Sequence, residues 1–168
     1  MDRKNTKGAN RILTGTQVEF SLMDSKNELA ATGRCLCNGV TYEVRGPMRG
    51  IVECHCKTCR RFSGGLWHAT AAAREAIVIQ DNGSLRWYRS SERVRRGFCG
   101  NCGSSLFWDR DDMTFLAITA GTLDDPTNLN MMARLFLAHG GDYYASTGQL
   151  PEYLETPDDP GLLKIPDE

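Results

Sequence analysis

Seven cysteines fall in three tight groups: C-L-C at Cys35 and Cys37, C-H-C-K-T-C at Cys54, Cys56 and Cys59, and C-G-N-C at Cys99 and Cys102. Thiolates one or two residues apart can turn their sulfurs onto a common point about 2.3 Å from a metal while the backbone makes a tight knuckle. Gly39, Gly100 and Gly103 flank these pairs, where a chain curling around a metal needs backbone freedom. Soft sulfur donors suit zinc, copper(I) or an iron–sulfur cluster; the separated pairs favour tetrahedral zinc, with a cluster as the alternative. Seven thiolates do not divide into two closed tetrahedral sites. Four would close one site, and three would leave a second metal with a free position, which is the arithmetic of a reactive zinc. Spacing alone does not pair the groups, since Cys56/Cys59 with Cys99/Cys102 would make an ordinary zinc ribbon.

Around these groups lie the other side chains able to do chemistry. His55, His68 and His139 are the only imidazoles. His55 sits between two candidate ligands, so its ring is expected to point away from the metal, hydrogen-bonded behind it or simply exposed, and His68 reads as a strand residue; His55, His68 or another chain turned to the metal would instead close the three-cysteine site. Arg60 and Arg61 follow that site, and Arg93, Arg95 and Arg96 precede Cys99. They could bind carboxylates through charged hydrogen bonds, against the plainer reading of a solvated basic face. Ser63, Gly64 and Gly65 read as a backbone cradle or a turn. The aromatics Trp67, Trp87, Trp108, Tyr143 and Tyr144 read as packing, with none assigned to catalysis.

The elements that must position these groups are short. After a polar stretch with a weakly alternating patch at Thr16 to Leu22, β-like runs occur at Val40 to Val44, Ala76 to Ile79, Leu85 to Tyr88, Arg93 to Phe98, Ser105 to Trp108, Thr114 to Thr119 and Arg134 to Leu137. This spacing predicts an antiparallel all-β domain. The segment Ala69 to Ala76 is ambiguous between helix and strand, and no function is read into it. The organisation expected is an extension at 1–30, one domain at 31–156 and a tail at 157–168. At 168 residues the chain can build its own core, so its cysteines are not needed as disulfide staples. Lys plus Arg number 20 against 21 Asp plus Glu, which supplies no global field for nucleic acid or an anionic membrane. With no apolar run of spanning or signal length, the chain reads as cytoplasmic, where grouped cysteines bind metal more readily than they form bridges.

The runs G-R-C-L-C-N-G-V-T-Y-E-V, C-H-C-K-T-C-R-R-F-S-G-G and F-C-G-N-C-G-S-S-L-F, with G-T-L-D-D-P at Gly121 to Pro126, His139 and L-P-E-Y at Leu150 to Tyr153, resemble the glutathione-dependent formaldehyde-activating enzyme family, which includes centromere protein V. The resemblance implies a β-tent fold and two zinc ions per chain. It assigns Cys35, Cys37, Cys99 and Cys102 to a structural zinc and Cys54, Cys56 and Cys59 to a second, labile one. Two positions depart from the family pattern: Asn38 replaces a glycine, and H-G-G-D-Y-Y-A-S-T-G-Q-L-P replaces a segment with a basic residue, proline and tryptophan.

The activity implied is a carbon–sulfur lyase that adds or releases a small aldehyde at a glutathione-like thiol, with no redox cofactor. His139 is the proton donor that the resemblance ranks first, and Arg60 and Arg61 are the substrate-binding candidates. Methionine sulfoxide reduction is rejected, because no cysteine lies beyond Cys102 to act outside the zinc groups. The alternative is a noncatalytic module whose zincs shape a surface for a protein partner. No nucleic-acid partner and no membrane are expected.

Overall fold

The computed structural model describes residues 28–144. The patch at Thr16 to Leu22, the L-P-E-Y motif and the tail lie outside them. Among the described residues ten strands form two sheets, and one short α-helix connects two of the strands. The smaller sheet has three strands in the order β1 (Leu29–Arg34), β2 (Val40–Arg45), β5 (Ile77–Asp81). The larger has seven in the order β10 (Met131–Leu135), β3 (Ile51–Cys54), β4 (Trp67–Ala73), β9 (Phe115–Thr119), β8 (Ser105–Arg110), β7 (Val94–Cys99), β6 (Leu85–Arg89). Neighbours pair antiparallel except β10, which returns parallel to β3. The all-β antiparallel fold read from the runs is therefore present, with one parallel edge.

The seven-stranded sheet buries both faces, and its register says which residue goes where. Side chains opposite one another in a ladder share a face, while successive residues alternate. On one face Thr70, Ile118, Phe107, Gly97 and Trp87 lie in a row. That face packs on Val40, Tyr42 and Val44 of β2 to make the main core, with Leu106 and Ile118 fully buried. Gly97 leaves room for Trp87 and Phe107 to stack, their ring centroids 6.1 Å apart. On the other face Ala71, Ala117, Trp108, Arg96 and Tyr88 line up. Leu135, Cys54 and Trp67 form a second ladder row at the β10 end.

The ambiguous alanine segment is a strand, β4, ending in a single 3-10 turn at Arg74–Ala76. Its alanines are chosen for size: Ala69 and Ala71 are buried on the second face and Ala72 on the core face, so tertiary contacts override their helical preference. Three elements were not read from sequence, and the first of them, β1, begins inside the stretch read as an extension. The strand β3 is only four residues long, and the helix α1 (Lys57–Ser63) carries no apolar period. No helix among the described residues is long and apolar enough to cross a membrane.

Candidate metal centres and the cavity beside them

Two knuckles bring Cys35, Cys37, Cys99 and Cys102 together. In the first, the N–H of Asn38 donates to the carbonyl of Cys35 at 3.1 Å, and Asn38 takes the left-handed conformation at φ 61°, which asparagine tolerates better than most residues. Its side chain is held by Arg34 at 2.9 Å. In the second, Gly103 donates to Cys99 at 2.8 Å with φ 78°. The Ser104 hydroxyl clasps the two, accepting from the Leu36 N–H at 3.1 Å and lying 3.3 Å from the Cys102 sulfur.

All four sulfurs lie within 4.8 Å of one another, with Cys35–Cys37 and Cys37–Cys99 at 3.6 Å. A tetrahedron with 2.3 Å bonds has edges of about 3.8 Å, so this donor set fits a tetrahedral dication. Its acid–base behaviour fits as well. The Ser104 hydroxyl draws Cys102 down to about 5. The Gly39 N–H also favours the Cys37 thiolate, but the three adjacent sulfurs outweigh it and push Cys37 up to about 12. Four thiolates can coexist there only around a cation.

The second group stands where β3 runs into α1. Cys54 ends the strand, Cys56 caps the helix by accepting from the Cys59 N–H at 3.3 Å, and Cys59 sits in the first helical turn. Their sulfurs again lie within 4.8 Å of one another, and among the described residues the group gains no fourth histidine, cysteine or carboxylate. Burial pushes Cys59 up to about 12 and also raises Cys54. For Cys56 burial is outweighed by N–H donors and neighbouring sulfurs, and it falls below the ordinary value. A metal would supply the charge that ionises the other two. The Arg96 guanidinium supplies part of it already: it is 5% exposed, and both terminal nitrogens lie 3.7 Å from the Cys59 sulfur. Its Nε donates to Ser90 and its plane lies over the Phe62 ring.

The histidines face elsewhere. His55 is buried and bonds Glu53 at 2.8 Å, and His68 bonds the same carboxylate at 3.0 Å. Arg134 adds a third contact at 3.1 Å. The His55 hydrogen bond, with help from the other two, holds Glu53 below the ordinary carboxylate value. The network ties β3, β4 and β10 together behind the three thiols, which is the placement expected for His55 from its position between ligands.

In front of the thiols the second sheet face opens into a cavity of about 400 Å³, with Cys54, Cys56 and Cys59 in its wall. Trp67, Trp108, Phe115 and Phe136 supply apolar surface, and Arg49 and Arg96 supply the only charges. A second cleft of about 310 Å³ shares Thr58, Ser90 and Arg96 with it and is bounded by Lys57, Arg61 and Tyr88. Among the described residues Arg49, Lys57, Arg60, Arg61 and Arg96 have no carboxylate partner, whereas Arg93 and Arg95 are engaged by Asp112 and Asp109.

The sequence-derived candidates separate accordingly. Arg61 faces the second cleft. Arg60 is tied to the Tyr143 hydroxyl at 3.3 Å and the His139 carbonyl at 3.2 Å. His139 is exposed on a 3-10 turn, its ring 6.3 Å from that of Phe136 and outside the cavity lining. Ser63 bonds Cys59 and Gly65 carbonyls and closes the helix. Glu53, Arg49 and the alanine-floored cavity were not read from the sequence. The strict alternation W-H-A-T-A-A-A across β4 is the signal that could have placed Trp67 on a different face from His68.

The family model described as glutathione-dependent formaldehyde-activating enzyme matches residues 30–139. An uncharacterized lyase of Schizosaccharomyces pombe is 30% identical over 76 residues, 45% of this chain and 55% of that protein, so the match spans little more than half of the relative. A crystal structure of a Rhodobacter sphaeroides protein aligns at TM-score 0.48 and 21% identity, covering 61% of this chain and 98% of that one.

Proposed function

Because the chain belongs to the glutathione-dependent formaldehyde-activating enzyme family, we propose that it is a zinc-dependent carbon–sulfur lyase that adds a small aldehyde to a glutathione-like thiol and, in reverse, releases it. In this reading, with a β-tent architecture, Cys35, Cys37, Cys99 and Cys102 hold a structural zinc. Cys54, Cys56 and Cys59 hold a second one. The observation that carries the proposal is that these three sulfurs line a cavity and lack a fourth ligand among the described residues. A zinc ion there would bind the substrate sulfur and keep it as thiolate at neutral pH.

The chain's own residues do the rest. The sulfur attacks the aldehyde carbon, a C–S bond forms as the C=O π pair moves onto oxygen, and the oxygen takes a proton. Arg96, buried beside Cys59, is placed to stabilise the developing oxyanion. His139 returns the proton through water from the turn beside Phe136. Arg60 and Arg61 receive carboxylates of the thiol carrier, and the aromatic walls exclude bulk water. The noncatalytic alternative draws on one feature, the exposed strip Met131, Met132, Leu135, Phe136 and Leu137 at the sheet edge.

Magnetisation-exchange NMR on zinc-loaded protein decides between them. Accelerated exchange between glutathione plus formaldehyde and S-hydroxymethylglutathione is expected. Exchange at the uncatalysed rate, for glutathione and for a panel of small thiols, would sink the lyase.

A further inference from the structure

Formaldehyde has two heavy atoms and needs little more room than a water molecule, about 30 Å³. The cavity beside Cys54, Cys56 and Cys59 is about 400 Å³, within the range that holds whole organic ligands. Much of its wall is planar and apolar, from Trp67, Trp108, Phe115 and Phe136. The Trp67 indole commits its N–H to Thr119 at 2.9 Å, Trp108 stacks against Phe115 with ring centroids 6.4 Å apart, and all three rings line the space. The floor is Ala117, beside Ala71 in the ladder, where any larger side chain would fill the volume. Phe136 completes the wall in a left-handed backbone conformation, φ 59°, that a non-glycine residue adopts at a cost and that clusters at ligand sites.

Glutathione does not suit this space. Two carboxylates, an ammonium and two amides would find only Arg49, Arg96 and the hydroxyls of Thr58, Ser90 and Ser91 as polar partners, and would lose hydration against the rest of a wall made of rings and aliphatic side chains. The second cleft does suit it, with Lys57 and Arg61 free of carboxylate partners among the described residues and with Arg96 shared between the two. The thiols thus stand where a polar half-site and an apolar half-site meet.

We propose that the cavity beside the three thiols receives the apolar, planar substituent of an aldehyde larger than formaldehyde, of the aryl aldehyde class, while the polar thiol carrier lies in the second cleft. This rests on the lyase reading and names its electrophile. The step is a reversible addition. The thiolate sulfur donates its pair to the carbonyl carbon, the π pair becomes an alkoxide, and water supplies the proton, with no change of oxidation state and no co-reactant.

The test uses stable thioether mimics of the two adducts on zinc-loaded, full-length protein. Titration calorimetry with S-benzylglutathione and S-methylglutathione is expected to show the benzyl compound binding about twentyfold tighter, the gain for six ring carbons at ordinary ligand efficiency. The Ala117→Leu variant should bring that ratio close to one. Equal affinities for the two mimics in the unmodified protein would overturn the proposal, as would binding of neither. Turnover separates this from failure of the lyase reading. Exchange of glutathione with formaldehyde but equal affinities for the mimics removes only the aryl aldehyde. No exchange with formaldehyde or with benzaldehyde removes the lyase.

Discussion

The two cysteine groups answer differently to the same chemical change. Cys35 and Cys99 are within 1% of full burial inside the main core, and their metal would close two knuckles at once. Structural zinc contributes about 10–16 kcal/mol in small metal-dependent domains, as much as the whole stability of a typical fold. Cys99→Ser is therefore expected to abolish the cooperative thermal transition. Cys59→Ser, in the cavity wall, should keep the transition and lose one of two zincs by elemental analysis. Arg96 offers a second residue-level prediction. Arg96→Met should slow thiol–aldehyde exchange by about a hundredfold, in the range measured for loss of one oxyanion donor, with a smaller rise in KM for the thiol because Arg96 also lines the second cleft. Arg96→Lys should recover only part, because an ammonium cannot present two donors to the Cys59 sulfur while its stem bonds Ser90. A parallel fall in zinc content would show that Arg96 serves only to hold the metal site.

Among the elements, β1 and β2 are joined at a position that admits no side chain. A Cβ on Gly33 would collide with the Tyr42 ring and the Thr122 carbonyl. Gly33→Ala is expected to cost about 1–3 kcal/mol as overpacking, read as a lowered denaturant midpoint. Tyr42 is 2% exposed, and its hydroxyl lies 2.7 Å from that of Thr122. Tyr42→Phe should cost about 1 kcal/mol through the orphaned Thr122 contact while the ring continues to pack at 5.3 Å on Phe107. The helix α1 depends on the site it serves. It has seven residues, too few to persist alone, and its N-terminal cap is the sulfur of Cys56. In the proposed reading ligand and cap are one atom, so removing a metal held by Cys54, Cys56 and Cys59 should loosen α1 before anything else, visible as faster amide exchange at Arg60 and Arg61.

At the scale of the whole molecule, the seven-stranded sheet divides stability from function by its two faces. Leu106 and Ile118 have no exposed surface, and truncating either to alanine should cost about 2–5 kcal/mol. Trp108 belongs to the other face and lines the cavity. Trp108→Leu should cost less in stability and more in affinity for an aryl-bearing adduct, a split that thermal denaturation and calorimetry would record on the same sample. Chelation should show the same division. If both proposed zincs are bound, the one at Cys54, Cys56 and Cys59 should leave first with the sheet signal in circular dichroism intact, and the one at Cys35, Cys37, Cys99 and Cys102 only with unfolding.

Much of this was legible in the residues themselves. Thiol spacing, flanking glycines and short alternating runs determined that the chain is an all-β domain with three tight, metal-competent groups of cysteines, because ligand reach and strand alternation are local properties. The grouping of Cys35 and Cys37 with Cys99 and Cys102 was implied by family resemblance, and the sulfur distances now stand behind it. Only the tertiary structure decided that Arg96 meets Cys59, that Glu53 gathers two histidines behind the thiols, and that Ala117 lies in the wall of a cavity. Each of these depends on register between strands far apart in the chain. Shifting β8 against β9 by one residue would turn Trp108 to the core and Phe107 to the cavity. Nothing in either strand's own sequence forbids that shift; it is forbidden by the packing of Phe107 between Tyr42 and Trp87.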